Sequence, residues 1–403
     1  MHSGSRMSPE ELRAALSLSS IFGLRMLGMF VILPVFAFYA EGLPGGDNLT
    51  LVGIAIGVYG LTQGCLQIPF GYWSDRYGRK RVIYIGLAIF AAGSFIAALG
   101  THITIVILGR MLQGAGAISA AVMAMTADLT RDEHRTKAMA MIGSTIGATF
   151  ALSLVLSPWL YRVIGVPGIF VMTGVLVFVA MGVVYGLVPD VPDVPERPHR
   201  SHPPAIQQFV GALLDPQLAR LNYGVFALHA VLMALFIAVP LELRAAGLAV
   251  DGHWQVYLPV MLGSFVLMLP AVLGAGSAER TRATVLGAVA VLLALQLALP
   301  WAQGSVWAIA GCLLVFFTAF NILEAGLPSQ VTRLAPAESR GVAIGVFTSL
   351  QFFGTFFGAA AGGFLYGRWG TTGIVVFSAA LLVIWLYLQL SSSRSPLWPR
   401  STK

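Results

Sequence analysis

Apolar runs of about 20 residues return along this whole chain, and each is long enough for a helix to cross the hydrocarbon core of a bilayer. Only short polar loops separate most of them. Of the 403 residues, 10% are charged and 57% are hydrophobic, whereas a soluble domain carries about 25% charged residues. So few charges cannot coat a water-facing surface, and most of the surface must face lipid. The mean hydropathy of +0.82 agrees. Twelve spans are predicted, at 15–40, 49–71, 82–100, 103–127, 137–161, 167–188, 217–243, 253–275, 283–300, 304–328, 341–365 and 371–391. The expected fold is an all-α membrane protein that leaves little chain for a soluble domain.

The 24 lysines and arginines set the orientation. With the N-terminus inside, the cytoplasmic segments hold most of them, including Arg76, Arg79, Lys80, Arg81, Arg131, Arg135, Arg280, Arg282, Arg333 and Arg340. The outer ends hold Arg162, Arg244 and Arg368. This is the positive-inside pattern, and it places both termini in the cytoplasm. The formal net charge of +7 does not indicate nucleic acid, because the basic residues sit in short loops instead of on one face of a soluble domain. Cys65 and Cys312 fall inside predicted spans, without disulfide or metal spacing. The polar start, up to about Ala14, lacks the pattern of a cleaved signal peptide, so the first span is expected to stay.

One loop is long. Residues 189–216 hold seven of the 21 prolines, with Arg197, His199, Arg200 and His202. Proline blocks helix continuation and favours extended backbone, so this segment reads as a linker between halves 1–188 and 217–403. Within it, Ala205–Leu214 has the pattern of a short amphipathic helix on the membrane surface. The halves repeat each other. Phe30-Val-Ile-Leu-Pro34 returns as Phe236-Ile-Ala-Val-Pro240. Ile68-Pro69 before Ser74-Asp75-Arg76 returns as Leu269-Pro270 before Ala278-Glu279-Arg280. Thr130-Arg131, Glu133 and Arg135 return as Thr332-Arg333, Glu338 and Arg340. Three matches in order at offsets near 200 indicate six helices duplicated in parallel, with a solute path expected where the repeats meet.

The loop after the second span reads Gly71-Tyr-Trp-Ser-Asp75-Arg76-Tyr-Gly78-Arg79-Lys80-Arg81. Gly71 and Gly78 permit close helix approach and a tight turn. Asp75 is an anion suited to a helix N-terminus. Arg79 can pair with a carboxylate at the inner end of another helix, and Asp128 is the candidate. This loop resembles the signature G-x-x-x-D-R-x-G-R-[KR]-[KR] of the major facilitator family at every specified position. Arg110-Met-Leu-Gln113-Gly114 likewise resembles the family's R-x-x-Q-G motif. The runs Leu24–Pro34, Tyr59–Gly71, Asp128–Arg131 and Asn321-Ile-Leu-Glu324 look like the YajR-type proton-driven transporters of bacteria. Some relatives carry a soluble domain after the last span; this chain, ending about a dozen residues past that span, is expected to lack one. The resemblance implies two six-helix bundles around a central cavity lined by spans 1, 4, 7 and 10. It also implies that Asp75 meets the start of span 11, near Gly341, so that Gly71, Asp75, Arg76, Gly78, Arg79 and Asp128 form a conformational latch. One departure is a fifth span with Gly143, Gly147 and Ser157-Pro158-Trp159, without the final glycines common in the family's antiporters.

Ionisable residues within spans are candidates for function. Four stand out: Arg25, Arg110, His229 and Glu324. Arg110 reads as a contact for a solute anion, a help to proton movement, or a structural arginine bonded to helix carbonyls. Glu324 reads as a proton carrier or as a charge partner for Arg25. His229 reads as a second relay or as a structural histidine. Asn321, one turn before Glu324, is placed to orient the carboxylate or bond solute. Gln63, Gln67, Gln113, Gln351, Tyr39 and Tyr59 read as bonds between helices. The expected activity is proton-coupled efflux of a small drug-like or metabolic solute by a monomer in the inner membrane, without a cofactor. Uptake of an anionic metabolite is the rival within transport, and a non-transporting solute sensor the rival outside it. The sequence has no His-Glu-x-x-His, nucleophile elbow or phosphate-binding Gly-x4-Gly-Lys-[Ser/Thr] loop, so neither an enzyme nor direct use of ATP is expected.

Overall fold

Charge-poor sequence this long satisfies its backbone internally by forming helix, and in the computed structural model every regular element among the described residues is a helix. Those residues are 7–190, 205–274, 278–335 and 340–391. Residues 191–204 of the linker, Glu338 of the repeat and the chain beyond 391 lie outside them. The chain divides into two compact units at residues 202 and 203. The first holds α1 (Pro9–Phe30), α2 (Phe36–Glu41), α3 (Leu49–Tyr77), α4 (Arg79–Ala98), α5 (Ile103–Ala115), α6 (Ser119–Asp128) and α7 (Asp132–Gly186). The second holds α8 (Ala205–Leu214), α9 (Pro216–Ala245), α10 (Trp254–Leu273), α11 (Ala278–Ala302), α12 (Val306–Leu334) and α13 (Arg340–Ser391).

Local chemistry sets the helix ends. Ser8 and Glu11 form a reciprocal capping box ahead of α1, with Pro9 in its first turn. Asn48 caps α3, Asp215 caps α9 and Ser305 caps α12; each satisfies amide donors that the first turn leaves open. The first predicted span is two helices, because the chain turns over residues 31–35, where Pro34 has no N–H to donate. The fourth is also two helices, α5 and α6, broken after Ala115, where Gly116 lies against the backbone of Gly86 and the side chain of Phe90. Spans 5 and 6 are the two helices of α7, and spans 11 and 12 those of α13. Each pair meets at one glycine outside helical geometry: Gly165 at φ 64°, ψ 175° and Gly370 at φ 58°, ψ −146°. A positive φ strains any residue with a Cβ. Nine helical stretches among the described residues are long and apolar enough to cross a membrane. At 1.5 Å per residue, the helices on either side of these glycines, residues 132–164, 166–186, 340–369 and 371–391, are each about 30 Å or longer, enough for one crossing of a core about 30 Å thick.

Within each unit the same pairings recur. In the first, α1 packs on α7, α3 on α5, α4 on α5, α4 on α7, α1 on α6 and α6 on α7. In the second, α9 packs on α13, α10 on α12, α11 on α12, α11 on α13, α9 on α12 and α12 on α13. That correspondence is what a duplicated helix set produces. Small residues let the backbones close, as expected in lipid, where burying apolar surface drives nothing. Gly354, Gly358 and Gly362 of α13 face Phe226, Ala230 and Ala234 of α9, both series spaced by four.

Candidate functional site

One end of the first unit carries a charged cluster built on the break between α3 and α4. Gly78 makes that break at φ 96°, and the next residue, Arg79, opens α4. Its Nε donates to Asp128 Oδ2 at 2.9 Å, its Nη1 donates to Ser74 Oγ at 2.8 Å, and it pairs with Asp75. Ser74 in turn donates to the Gly71 carbonyl. Asp75 keeps 64% of its side chain exposed. A Cβ on Gly71 would stand 3.4 Å from Ala120 of α6. The cluster omits Arg76, which reaches Tyr72 and lies over the Tyr77 ring. One guanidinium thus ties the ends of α3 and α6 to the start of α4.

Deeper in this unit, α3 presents Tyr59, Gln63 and Gln67 at four-residue spacing, all buried. Arg25 from α1 donates to Ser119 at 3.2 Å and to Gln63. Gln63 donates to Ser119 at 3.1 Å and to Gln67 at 3.5 Å. Arg110 from α5 donates to the carbonyls of Ala55 and Ile56 and to Gln113, which donates to Ser94. The Tyr59 ring lies 5.6 Å from the Arg25 guanidinium carbon and 5.1 Å from that of Arg110. Gly114, against the Tyr59 carbonyl and the Thr62 hydroxyl, sets α5 close to α3. Both guanidiniums are at most 1% exposed.

The second unit brings Glu324 of α12, His229 of α9 and Gln351 of α13 together. Gln351 Nε2 donates to Glu324 Oε1 at 3.1 Å and stands 2.8 Å from His229 Nε2. His229 Nδ1 lies 3.1 Å from the Val225 carbonyl, an acceptor only, so the ring proton belongs on Nδ1 and Nε2 accepts from Gln351. Nε2 is also 3.7 Å from Glu324 Oε2. Asn321 is not in this cluster: its amide donates to Ser264 at 3.1 Å. Its counterpart in the first unit is the Gln63–Ser119 bond, also 3.1 Å, at offsets of 201 and 202 residues with amide and hydroxyl exchanged.

Sequence reasoning passed over two carboxylates. Glu242, near the end of α9, accepts from Thr371 at 2.6 Å and from Tyr366 and Gln303 at 3.1 Å. Its signal is a glutamate two residues after Pro240, hidden by a span edge drawn at 243. Glu11, outside the predicted spans, accepts from the Arg131 backbone and guanidinium at 2.9–3.0 Å. The Arg131 hydrogen bond holds its carboxyl well below the usual range. Among the described residues no cluster suits a metal ion.

Long apolar helices in two like-packed units, with ionisable groups buried among them, define a multi-pass membrane protein. The Major Facilitator Superfamily matches residues 18–359, and the chain belongs to that family of membrane transporters. It is 40% identical to the inner membrane transport protein YajR of Escherichia coli, over 97% of this chain and 86% of that one. It is 34% identical to the uncharacterized transporter BU466 of Buchnera aphidicola, over 86% and 89%. The fold also matches a bacterial homolog of the human lysosomal transporter Spinster, with TM-score 0.75 and 14% identity over 96% and 97% of the two chains.

Proposed function

We propose that this chain is a proton-coupled exporter of a small drug-like or metabolic solute. In this reading twelve spans form halves 1–188 and 217–403, joined by the 189–216 segment, with both termini cytoplasmic, and the protein works as a monomer in the bacterial inner membrane. The observation that carries it is the Glu324–His229–Gln351 cluster, a carboxylate and an imidazole held together by one amide. With His229 neutral, Gln351 serves both groups as a donor. A proton arriving on His229 Nε2 turns that nitrogen into a donor, so it can no longer accept from Gln351 and turns to Glu324 instead. Proton uptake therefore repartners α9, α12 and α13 at one point. This supplies the differential interaction that alternating access needs. The charged cluster at Arg79 serves as the latch of one conformational state. Efflux is favoured because the chain is 35% identical over 34% of its length to a protein named multidrug resistance protein 2, from Bacillus subtilis.

The test uses proteoliposomes loaded with mixed lipophilic cations, organic acids and bacterial metabolites, under an acid-outside gradient with and without protonophore. Gradient-driven loss of one class from the wild type, abolished by Glu324→Gln, is the expected result. No gradient-driven loss refutes export and leaves anion uptake to be tested with the gradient reversed. Equal loss from the variant removes Glu324 from coupling.

A further inference from the structure

The polar cluster of the first unit has hydrogen-bond donors left over. Arg25 Nε, Gln67 Nε2 and the Tyr59 hydroxyl are all buried without a hydrogen-bond partner. The acceptors around them are already taken: Gln63 Oε1 by Arg25, Gln67 Oε1 by Gln63, and Ser119 Oγ by both Arg25 and Gln63. Charge is unbalanced in the same sense. Every acidic residue among residues 7–190 lies in a loop or within five residues of a helix end: Glu10, Glu11, Glu41, Asp47, Asp75, Asp128, Asp132, Glu133 and Asp190. Arg110 spreads its charge over two carbonyls and the Gln113 amide oxygen. Arg25 has two neutral partners and the faces of Tyr59 and Phe90, at 5.6 and 5.9 Å. A buried cation left in that state is costly, and an unmade bond on a buried donor adds to the cost.

We infer that Arg25, Gln67 and Tyr59 form a binding site for the carboxylate of an organic acid, the anionic end of the transported solute. This rests on the transporter reading and adds the substrate class. A carboxylate only accepts hydrogen bonds, so it matches a site whose spare groups are donors. Arg25, whose Nε has no partner, is the group such a carboxylate meets; inorganic phosphate at neutral pH keeps at least one O–H, a further donor in a site already rich in donors. Stacking on two aromatic rings keeps the guanidinium oriented for a two-oxygen acceptor. Tyr59 and Gln67 are eight residues apart, on one face of α3, and Arg25 reaches that face at Gln63. These spare donors thus belong to one wall of the unit.

Purified full-length protein in detergent would be titrated with benzoate, octanoate, inorganic phosphate and tetraphenylphosphonium, following thermal stabilisation and calorimetric binding. The same measurements would be made on Tyr59→Phe and Gln67→Leu, which keep size and fill the same space, and on Arg25→Ala. The expected result is saturable binding of the carboxylates, about tenfold or more weaker in each mild variant, with inorganic phosphate inert and any tetraphenylphosphonium binding unchanged. Carboxylate affinity equal in wild type and both mild variants overturns the site, as does preference for phosphate or the cation. Flux separates the two readings. Gradient-driven movement of cations without competition from carboxylates keeps the transporter and removes the anion site. Variant-sensitive carboxylate binding without flux of any kind keeps the site and removes the exporter.

Discussion

Alanine at Gly358 should part α9 from α13 and, with them, His229 from Gln351. A Cβ built on Gly358 lies 2.6 Å from the Ala230 carbonyl carbon, and still nearer to the oxygen and Cα of that residue. Ordinary van der Waals contact begins near 3.4 Å, and the obstacle is backbone, which no rotamer change can clear. The helices must separate locally by about 1 Å, enough to forfeit a large part of the dispersion energy along the seam. Overpacking typically costs about 1–3 kcal/mol, and the better helix propensity of alanine offsets about 1 kcal/mol of that. Gly345, in the same helix, meets nothing within 4 Å of an added Cβ, so Gly345→Ala keeps only the propensity gain. In detergent, Gly358→Ala is expected to unfold several degrees below wild type and Gly345→Ala at or slightly above it. Gln351 precedes Gly358 by two helical turns, and His229 adjoins Ala230, so their 2.8 Å contact lies on the strained seam. Gradient-driven flux at a temperature where both variants are folded should fall only for Gly358→Ala. If the two variants unfold together at the wild-type temperature, the glycine seam does not hold these helices and the reasoning fails.

Two further outcomes follow from ion pairs at helix ends of the first unit. Arg79→Lys keeps the charge but not the fork that reaches Asp128, Ser74 and Asp75 together. Flux should fall severalfold while the unfolding temperature stays within a few degrees and solute binding persists; unchanged flux would show that the cluster switches nothing. Glu11→Gln removes a carboxylate held below its ordinary pKa by Arg131. A lowered acid stabilises fully above the unfolded pKa of about 4.5 and loses that contribution as pH falls toward the folded value. The stability gap between wild type and variant should be widest near pH 7 and narrow below about pH 4.5. A gap independent of pH would mean that the ion pair contributes nothing.

Helix content was legible because lipid solvent leaves so few choices: each long apolar run is helical, the first and fourth as two helices, and Ala205–Leu214 is a helix as well. The pairing of Arg79 with Asp128 was legible because each stands at a helix end, Arg79 opening α4 and Asp128 closing α6. What sequence could not rank was the partner of a buried group with several amides in reach. Asn321, one turn from Glu324, bonds Ser264 instead, and the amide that serves Glu324 comes from Gln351, 27 residues further on in another helix. Helix breaks were equally hidden. Pro34 lies in a turn, whereas its repeat partner Pro240 sits inside unbroken α9, so the same residue gives opposite results depending on what surrounds it.

Duplication followed by divergence has left the two units with opposite chemistry. The interior of the first holds Arg25 and Arg110, and among its described residues no acid lies deep in a helix. The interior of the second holds Glu324 and His229, and its described arginines, Arg220, Arg244, Arg280, Arg282, Arg333, Arg340 and Arg368, stand near helix ends or beside the Gly370 break. A guanidinium does not release its proton at physiological pH, so the first unit carries fixed positive charge suited to holding an anion. The second holds a carboxylate and an imidazole, side chains of the kinds that exchange protons, and in the proposed reading it is the unit that answers a proton gradient. If this division is right, conservative changes in the two units should separate. Tyr59→Phe should change solute affinity without moving the pH dependence of flux, and Gln351→Ala should shift that pH dependence while solute affinity at a pH far from the transition stays as it was.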